Sequence, residues 1–141
     1  MSAGNGARET THWAVHEIAL TPEATAALSS LAGSLGFDAV RIDLSPCGDK
    51  SSFLERMAEA LAFPDWFGQN WDAFFDCLAD LSWRPARGYV LLLEHADTMR
   101  HAAPEALDTA LAILGDAASA WESRGVPFRV FVSAPSPTDT G

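Results

Sequence analysis

The chain has 141 residues, of which 48% are hydrophobic and 20% are charged, and this composition is typical of a single soluble globular domain. Its 19 acidic and 9 basic residues give a formal net charge of −10, whereas a surface that binds nucleic acid directly needs clustered lysine and arginine. The charge balance therefore disfavours a nucleic-acid-binding protein and favours a basic partner.

The sequence has no feature that indicates a membrane or secreted protein. No segment approaches the ~20 apolar residues that cross a bilayer, and the first residues, MSAGNGARETT, lack the basic and apolar stretches of a secretory signal. Cys47 and Cys77 are too few for a disulfide framework and have no metal-ligand spacing. We therefore expect a cytoplasmic protein with reduced thiols and no membrane contact.

Strand and helix patterns alternate along the chain. Residues 12–19 are predicted to form a strand, and a helix follows with Thr21 as its N-cap and Gly36 at its end. The remaining predicted elements are a strand over 39–44, a turn at 45–49 and a helix up to Leu61, a helix over 70–81, a strand over 89–94, a short helix over 96–102, a long helix from Pro104 to Gly125 and a strand over 128–133.

Strands separated by helices predict a parallel sheet with right-handed crossovers, and hence an α/β fold. The apolar residues of the first helix need a surface to cover. We therefore expect the N-terminal strand and helix to add an edge strand beside strand 39–44. Two alternatives stay open: this pair packs outside the core, or it helps to recognise a partner.

Residues 57–83 differ in charge from the rest of the chain, because they contain five acids and no lysine or arginine. On a helical wheel of residues 70–81 the aromatic and leucine side chains fall on one side, which must face the core. Asp72, Asp76 and Asp80 fall on the other side at i, i+4 and i+8. Like charges at this spacing destabilise a helix by ~0.2–0.5 kcal/mol per pair. A merely solvated face is one interpretation of these acids. Trp66, in the loop just before, favours the other interpretation, a partner-binding surface with an aromatic anchor.

The run FPDWFGQNWDAFFDCL, residues 63–78, resembles the signature of the barstar family, intracellular inhibitors of a secreted bacterial ribonuclease. Pro64, Gly68, Asn70, the two aspartates and Cys77 fall at the family's spacing. The order of elements fits the family from about residue 37 to residue 134. The resemblance covers a barstar-like domain (37–134), and a strand–helix extension (11–36) lies outside it. The small and polar residues of the two tails, 1–10 and 135–141, are expected to be disordered.

The resemblance implies a three-stranded parallel sheet packed against helices, or a four-stranded one if the N-terminal strand joins it. It also implies that the helix over 70–81 and its preceding loop plug the basic active site of a guanyl-specific ribonuclease in a one-to-one complex. The protein would be a monomer when free and would need no cofactor.

Site residues are carried over from the family one by one. Asp76 matches the main binding acid, which takes the place of a substrate phosphate, and Asp72 matches a second acid near the cleft. Trp66 stands where the family has a tyrosine that packs on the catalytic histidine. The smaller contacts and the remaining members of the predicted surface are Asn70, Gly68, Ala73, Phe67, Asp80 and Asp116.

The chain departs from the family pattern at several of these positions. Trp66 and Phe67 lack the hydroxyl groups of the tyrosines they replace, and Gln69 stands where the family often has glutamate. A binding glutamate of the family is replaced by Ala120, and Asp116, one turn earlier, is its candidate substitute. These departures motivate an alternative function, that of an immunity protein with the same fold for a different toxic nuclease.

Catalysis and metal binding have less support. Asp72 and Asp76 could form a general acid–base pair in a small hydrolase, but no histidine, serine or lysine lies beside them in sequence. His12 and His16 are not completed to a metal-like set by neighbouring residues, so no metal site is predicted. The segment 48–51 lacks the first glycine of a phosphate-binding loop and predicts a turn and a helix start.

Overall fold

The computed structural model describes residues 13–65 and 67–135. The predicted tail 1–10, His12, Trp66 and residues 136–141 lie outside the described residues. The elements in chain order are β1 (Val15–Ile18), α1 (Pro22–Ser34), β2 (Asp38–Asp43), α2 (Lys50–Leu61), α3 (Trp71–Asp80), β3 (Tyr89–Glu94), α4 (Asp97–Ala102), α5 (Pro104–Glu122) and β4 (Phe128–Ser133).

The four strands form one parallel sheet in the order β1-β4-β3-β2. The predicted α/β fold with a four-stranded sheet is thereby confirmed. The predicted neighbour of the first strand was wrong, because β1 pairs with β4 at one edge while β2 forms the opposite edge. The reason is that α1 carries the chain across a whole face of the sheet before β2 begins, and sequence pattern does not record which edge a crossover reaches.

Helix boundaries follow local capping chemistry. The Thr21 side chain accepts a hydrogen bond from the Ala24 amide, and Pro22 occupies the first turn of α1. Asp49 and Ser52 form a reciprocal capping box at the start of α2, which confirms that segment 48–51 is a turn and a helix start. Gly125 has φ of 78° just after α5, a conformation that glycine adopts without strain.

The first face of the sheet carries the main core. A row of side chains crosses all four strands on this face, and each of its members is buried: Val40, Leu91, Val130 and Val15. Helices α2 to α5 cover this row with further buried residues, which include Phe53, Phe74, Leu114 and Trp121. This face therefore holds α3 in place.

The second face carries a smaller core beneath α1 alone. Ala32 and Leu28 of α1 pack against Val90, Leu92 and Phe131 of the sheet. No helix in the described part of the chain is long and apolar enough to cross a membrane.

Candidate partner-binding surface

Helix α3 is anchored by its apolar side. Phe74, Cys77 and Leu78 are buried, and the ring of Phe74 meets that of Phe53 edge to face with centroids 5.6 Å apart. Trp71 is half-buried and lies 6.0 Å from Phe74 between ring centroids. The side of α3 that the sequence predicts to be apolar therefore packs in the core.

The three aspartates lie on the opposite, exposed side of α3. Asp72 and Asp76 form no ion pair with any residue that the structure describes. Asp80 accepts a hydrogen bond from the Ser82 hydroxyl at 3.3 Å. We call these three aspartates the acidic ridge. The described cations do not neutralise the acidic ridge, and its carboxylate oxygens remain open to an external donor.

The loop before α3 is shaped by its own hydrogen bonds. The Phe67 amide donates to the Pro64 carbonyl at 3.0 Å, and Gln69 adopts φ of 54°. The Asn70 side chain accepts from the Ala73 amide at 2.8 Å and donates to the Gly68 carbonyl at 3.4 Å. Asn70 therefore fixes the start of α3.

Of the other predicted site residues near α3, Gly68 is exposed, whereas Phe67 and Ala73 are half-buried. Gly68 is exposed beside Asn70, and a Cβ added to it would approach the Asn70 amide nitrogen within 3.2 Å. Phe67 is half-buried and packs edge to face on Phe63 with centroids 4.9 Å apart, so part of its ring already belongs to the core. Ala73 is half-buried on α3.

On α5, which packs against α3, Asp116 is exposed and Ala120 is half-buried. Asp116 therefore adds an acid on the helix that borders α3. The packing of α5 against α3 sets the distance between Asp116 and the α3 aspartates, so that distance could not be predicted from sequence spacing.

The carboxyl end of α3 is tied to α5, a feature that the sequence analysis missed. The Trp121 indole donates to the Leu78 carbonyl at 2.8 Å, and the Arg124 guanidinium donates to the Ala79 carbonyl at 2.8 Å. Together with the Leu81 amide, which donates to the Cys77 carbonyl at 3.1 Å, these groups satisfy carbonyls that a helix end leaves unpaired. The partners are 43 and 45 residues apart in sequence, so local sequence patterns could not predict these contacts.

A similar indole contact holds the end of α2. The Trp83 indole donates to the carbonyl of Leu61, the last residue of α2, at 2.9 Å. The Trp83 ring also meets that of Phe63 edge to face. Trp83, in the segment that follows α3, therefore contacts both the end of α2 and the start of the loop between α2 and α3.

The described residues offer little catalytic chemistry. Burial, together with the charges of Asp76 and Asp80, raises the pKa of Cys77 to about 11, and burial also raises the pKa of Cys47. Both thiols are therefore protonated at neutral pH and poor nucleophiles. No group of three metal-ligating side chains occurs among the described residues. The aspartates of α3 are exposed, on a face where no described residue encloses a substrate.

The family model described as "Barstar (barnase inhibitor)" matches residues 37–133. A search of curated proteins finds no match. Among solved structures, a chain in "Structure of Drosophila ORC bound to DNA" is similar with a TM-score of 0.51 and 17% identity, over 89% of this chain and 32% of that one.

The solved structure, at this identity, shows a similar fold and nothing about function, and this chain spans about a third of its length. The family match has more weight, because it covers well over half of the chain and includes the loop, α3, α5 and three of the four strands. The matched range contains the signature run of residues 63–78 and is close to the range of about 37–134 over which the order of elements fits the family. The chain therefore belongs to the barstar family of barnase inhibitors.

Proposed function

We propose that this protein inhibits a barnase-type, guanyl-specific ribonuclease by inserting the acidic side of α3 into the enzyme's basic active site. The observation that carries the proposal is the exposure of Asp72 and Asp76 without any ion pair to a described residue. These two acids stand at the spacing of the family's binding residues.

The chemistry rests on the likeness between carboxylates and phosphates. A ribonuclease holds its substrate backbone with arginine and lysine, and a carboxylate offers an arginine two oxygens in the geometry of a bidentate pair. Asp76, the central member of the ridge, is proposed to occupy the site of the substrate phosphate. Asp72 and Asp80 flank it by one helical turn on either side.

The rigidity of α3 favours tight binding. Asn70 fixes one end of the helix, Trp121 and Arg124 fix the other, and the aromatic side is packed in the core. The backbone of α3 is therefore already ordered before the complex forms. Binding then loses less conformational entropy, which favours a higher affinity.

The charge of the ridge also speeds association. An acidic protein of net charge −10 attracts a basic enzyme over distances of about a Debye length, ~8 Å at physiological ionic strength. We expect a one-to-one complex formed in the cytoplasm of the producing cell, with α3, its loop and the neighbouring α5 supplying an interface of about 800 Å² per partner.

The experiment that tests the proposal is inhibition of barnase by the wild-type protein and two alanine variants. Asp76→Ala removes the central acid, and Glu23→Ala, on α1 at the other face of the sheet, removes the same charge far from α3. We expect Asp76→Ala to weaken inhibition by more than about 30-fold, as loss of an interface hot spot does, and Glu23→Ala to change it by less than about threefold. Equal effects of the two variants would contradict the proposal.

A second candidate is an immunity protein for a different toxic nuclease. It is favoured by one observation: the half-buried position 120 on α5 carries alanine, so the expected acid is missing beside α3. A binding panel of purified secreted nucleases separates the two functions. Inhibition of barnase supports the first, whereas tight binding to another nuclease without inhibition of barnase supports the second.

A further inference from the structure

A positive charge is fixed at the edge of the acidic ridge. The guanidinium of Arg124 stacks over the Trp121 ring at 4.3 Å from the ring centroid and donates to the Ala79 carbonyl at 2.8 Å. Trp121 is itself held by its hydrogen bond to Leu78. The cation is therefore placed at the carboxyl end of α3, one residue before Asp80, by two contacts rather than one.

This cation is not neutralised by the described part of the protein. Arg41, Arg84 and Arg129 each form an ion pair within 2.9 Å, whereas no described carboxylate lies within 4.0 Å of the Arg124 guanidinium. Glu122, the nearest acid along α5, is paired with Arg129 at 2.7 Å.

Arg124 also keeps most of its donors free. A guanidinium has five N–H groups, and the hydrogen bond to Ala79 uses one of them. The residue is exposed. Capping a helix end would be served by the single hydrogen bond, so the remaining charge and donors are available to a partner that covers α3.

We propose that Arg124 is a specificity-determining residue of the surface that α3 presents, an inference that rests on the proposed function. An enzyme that binds RNA carries cations along its backbone track as well as at the scissile phosphate. Arg124 repels a flanking cation and pairs with a flanking carboxylate. The surface therefore selects a ribonuclease whose basic cleft is bordered on this side by an acidic side chain.

The test measures association and dissociation rate constants with catalytically inactive barnase as the probe. Arg124→Glu reverses the charge, Arg124→Gln removes it, and Arg124→Lys keeps it. Arg87→Glu is the matched control, because Arg87 forms no ion pair with a described residue either but lies over Gly36 at the end of α1. Thermal unfolding of each variant checks that the fold is kept.

We expect Arg124→Glu to change the dissociation rate constant at least tenfold, lowering it where a cation of barnase borders α3 on this side and raising it where a carboxylate does. Arg124→Gln should change it in the same direction by less. Arg124→Lys should stay closer to wild type than either of them. Arg87→Glu shifts only the long-range field, so its dissociation rate constant should stay within about twofold of wild type. If wild type binds too weakly to detect, measurable binding by Arg124→Glu supports the proposal.

Equal dissociation rate constants for Arg124→Glu and Arg87→Glu would overturn the proposal, as would absence of binding by wild type and Arg124→Glu alike. The Asp76→Ala variant in the same series separates the two levels of inference. If Asp76→Ala loses affinity while Arg124→Glu behaves like its control, only the role of Arg124 fails. If Asp76→Ala binds like wild type, the proposed function itself fails.

Discussion

Helices α1 and α3 each bury one side in a core beside the sheet, but they leave opposite kinds of side chain exposed. Helix α3 buries its aromatic residues and exposes three aspartates. Helix α1 and its C-cap residue expose Leu31 and Leu35, which are 60% and 52% accessible. The side of α3 that faces solvent is therefore charged and unmatched, whereas the exposed side of α1 carries scattered leucines of a kind common on protein surfaces.

The contrast follows from how much each face of the sheet has to bury. Four helices share the first face, so α3 is held by dense packing and can tolerate repulsion among its aspartates. The second face has α1 alone and a small core. Packing strength in one region thus permits an unfavourable charge pattern there, and an unfavourable pattern retained at the surface points to function.

The largest difference between the two helices should appear on truncation of their apolar residues. Phe74→Ala removes a fully buried ring and should lower the free energy of unfolding by about 3–5 kcal/mol. Leu31→Ala removes a mostly exposed side chain and should lower it by less than about 0.5 kcal/mol. Denaturant unfolding of both variants checks the values, and similar losses would refute the contrast.

The tie between α3 and α5 should give a smaller effect. Trp121→Phe leaves the buried Leu78 carbonyl without its indole donor, which should cost about 1–3 kcal/mol of unfolding free energy. Hydrogen exchange in the last turn of α3 should quicken. Trp83→Phe is the control, since its indole makes the same kind of contact to Leu61 of α2; it should leave exchange in α3 unchanged. Unaltered stability and exchange in Trp121→Phe would mean that the contact is not needed.

The smallest effect is expected at the other end of α3. Asn70→Ala removes the acceptor of the Ala73 amide and should cost about 1 kcal/mol. Asn70→Asp keeps a good capping oxygen, so unfolding measurements should place its stability close to that of wild type. If both variants lose the same stability, the role assigned to the Asn70 side chain is wrong.

Local patterns predicted much of this structure. The strands over 89–94 and 128–133 and the caps at Thr21 and Asn70 are set by residues that are neighbours in sequence. The aspartate ridge was predictable for the same reason, because helical spacing alone places those residues on one side.

What could not be predicted depends on contacts between distant segments. The pairing of β1 with β4 is decided by the path of a crossover, and the attachment of Arg124 to Ala79 joins residues 45 positions apart. Each contact depends on how whole elements pack, for which a single sequence contains no periodic signal.

Competition with a nucleotide tests most directly whether α3 occupies a phosphate-binding site. The affinity of the protein for catalytically inactive barnase should be measured at increasing concentrations of guanosine 3′-monophosphate at constant ionic strength. The account predicts that the apparent Kd rises in proportion to nucleotide once the nucleotide exceeds its own Kd, because both ligands need the same cations. An apparent Kd that stays constant while the enzyme is saturated with nucleotide would contradict it.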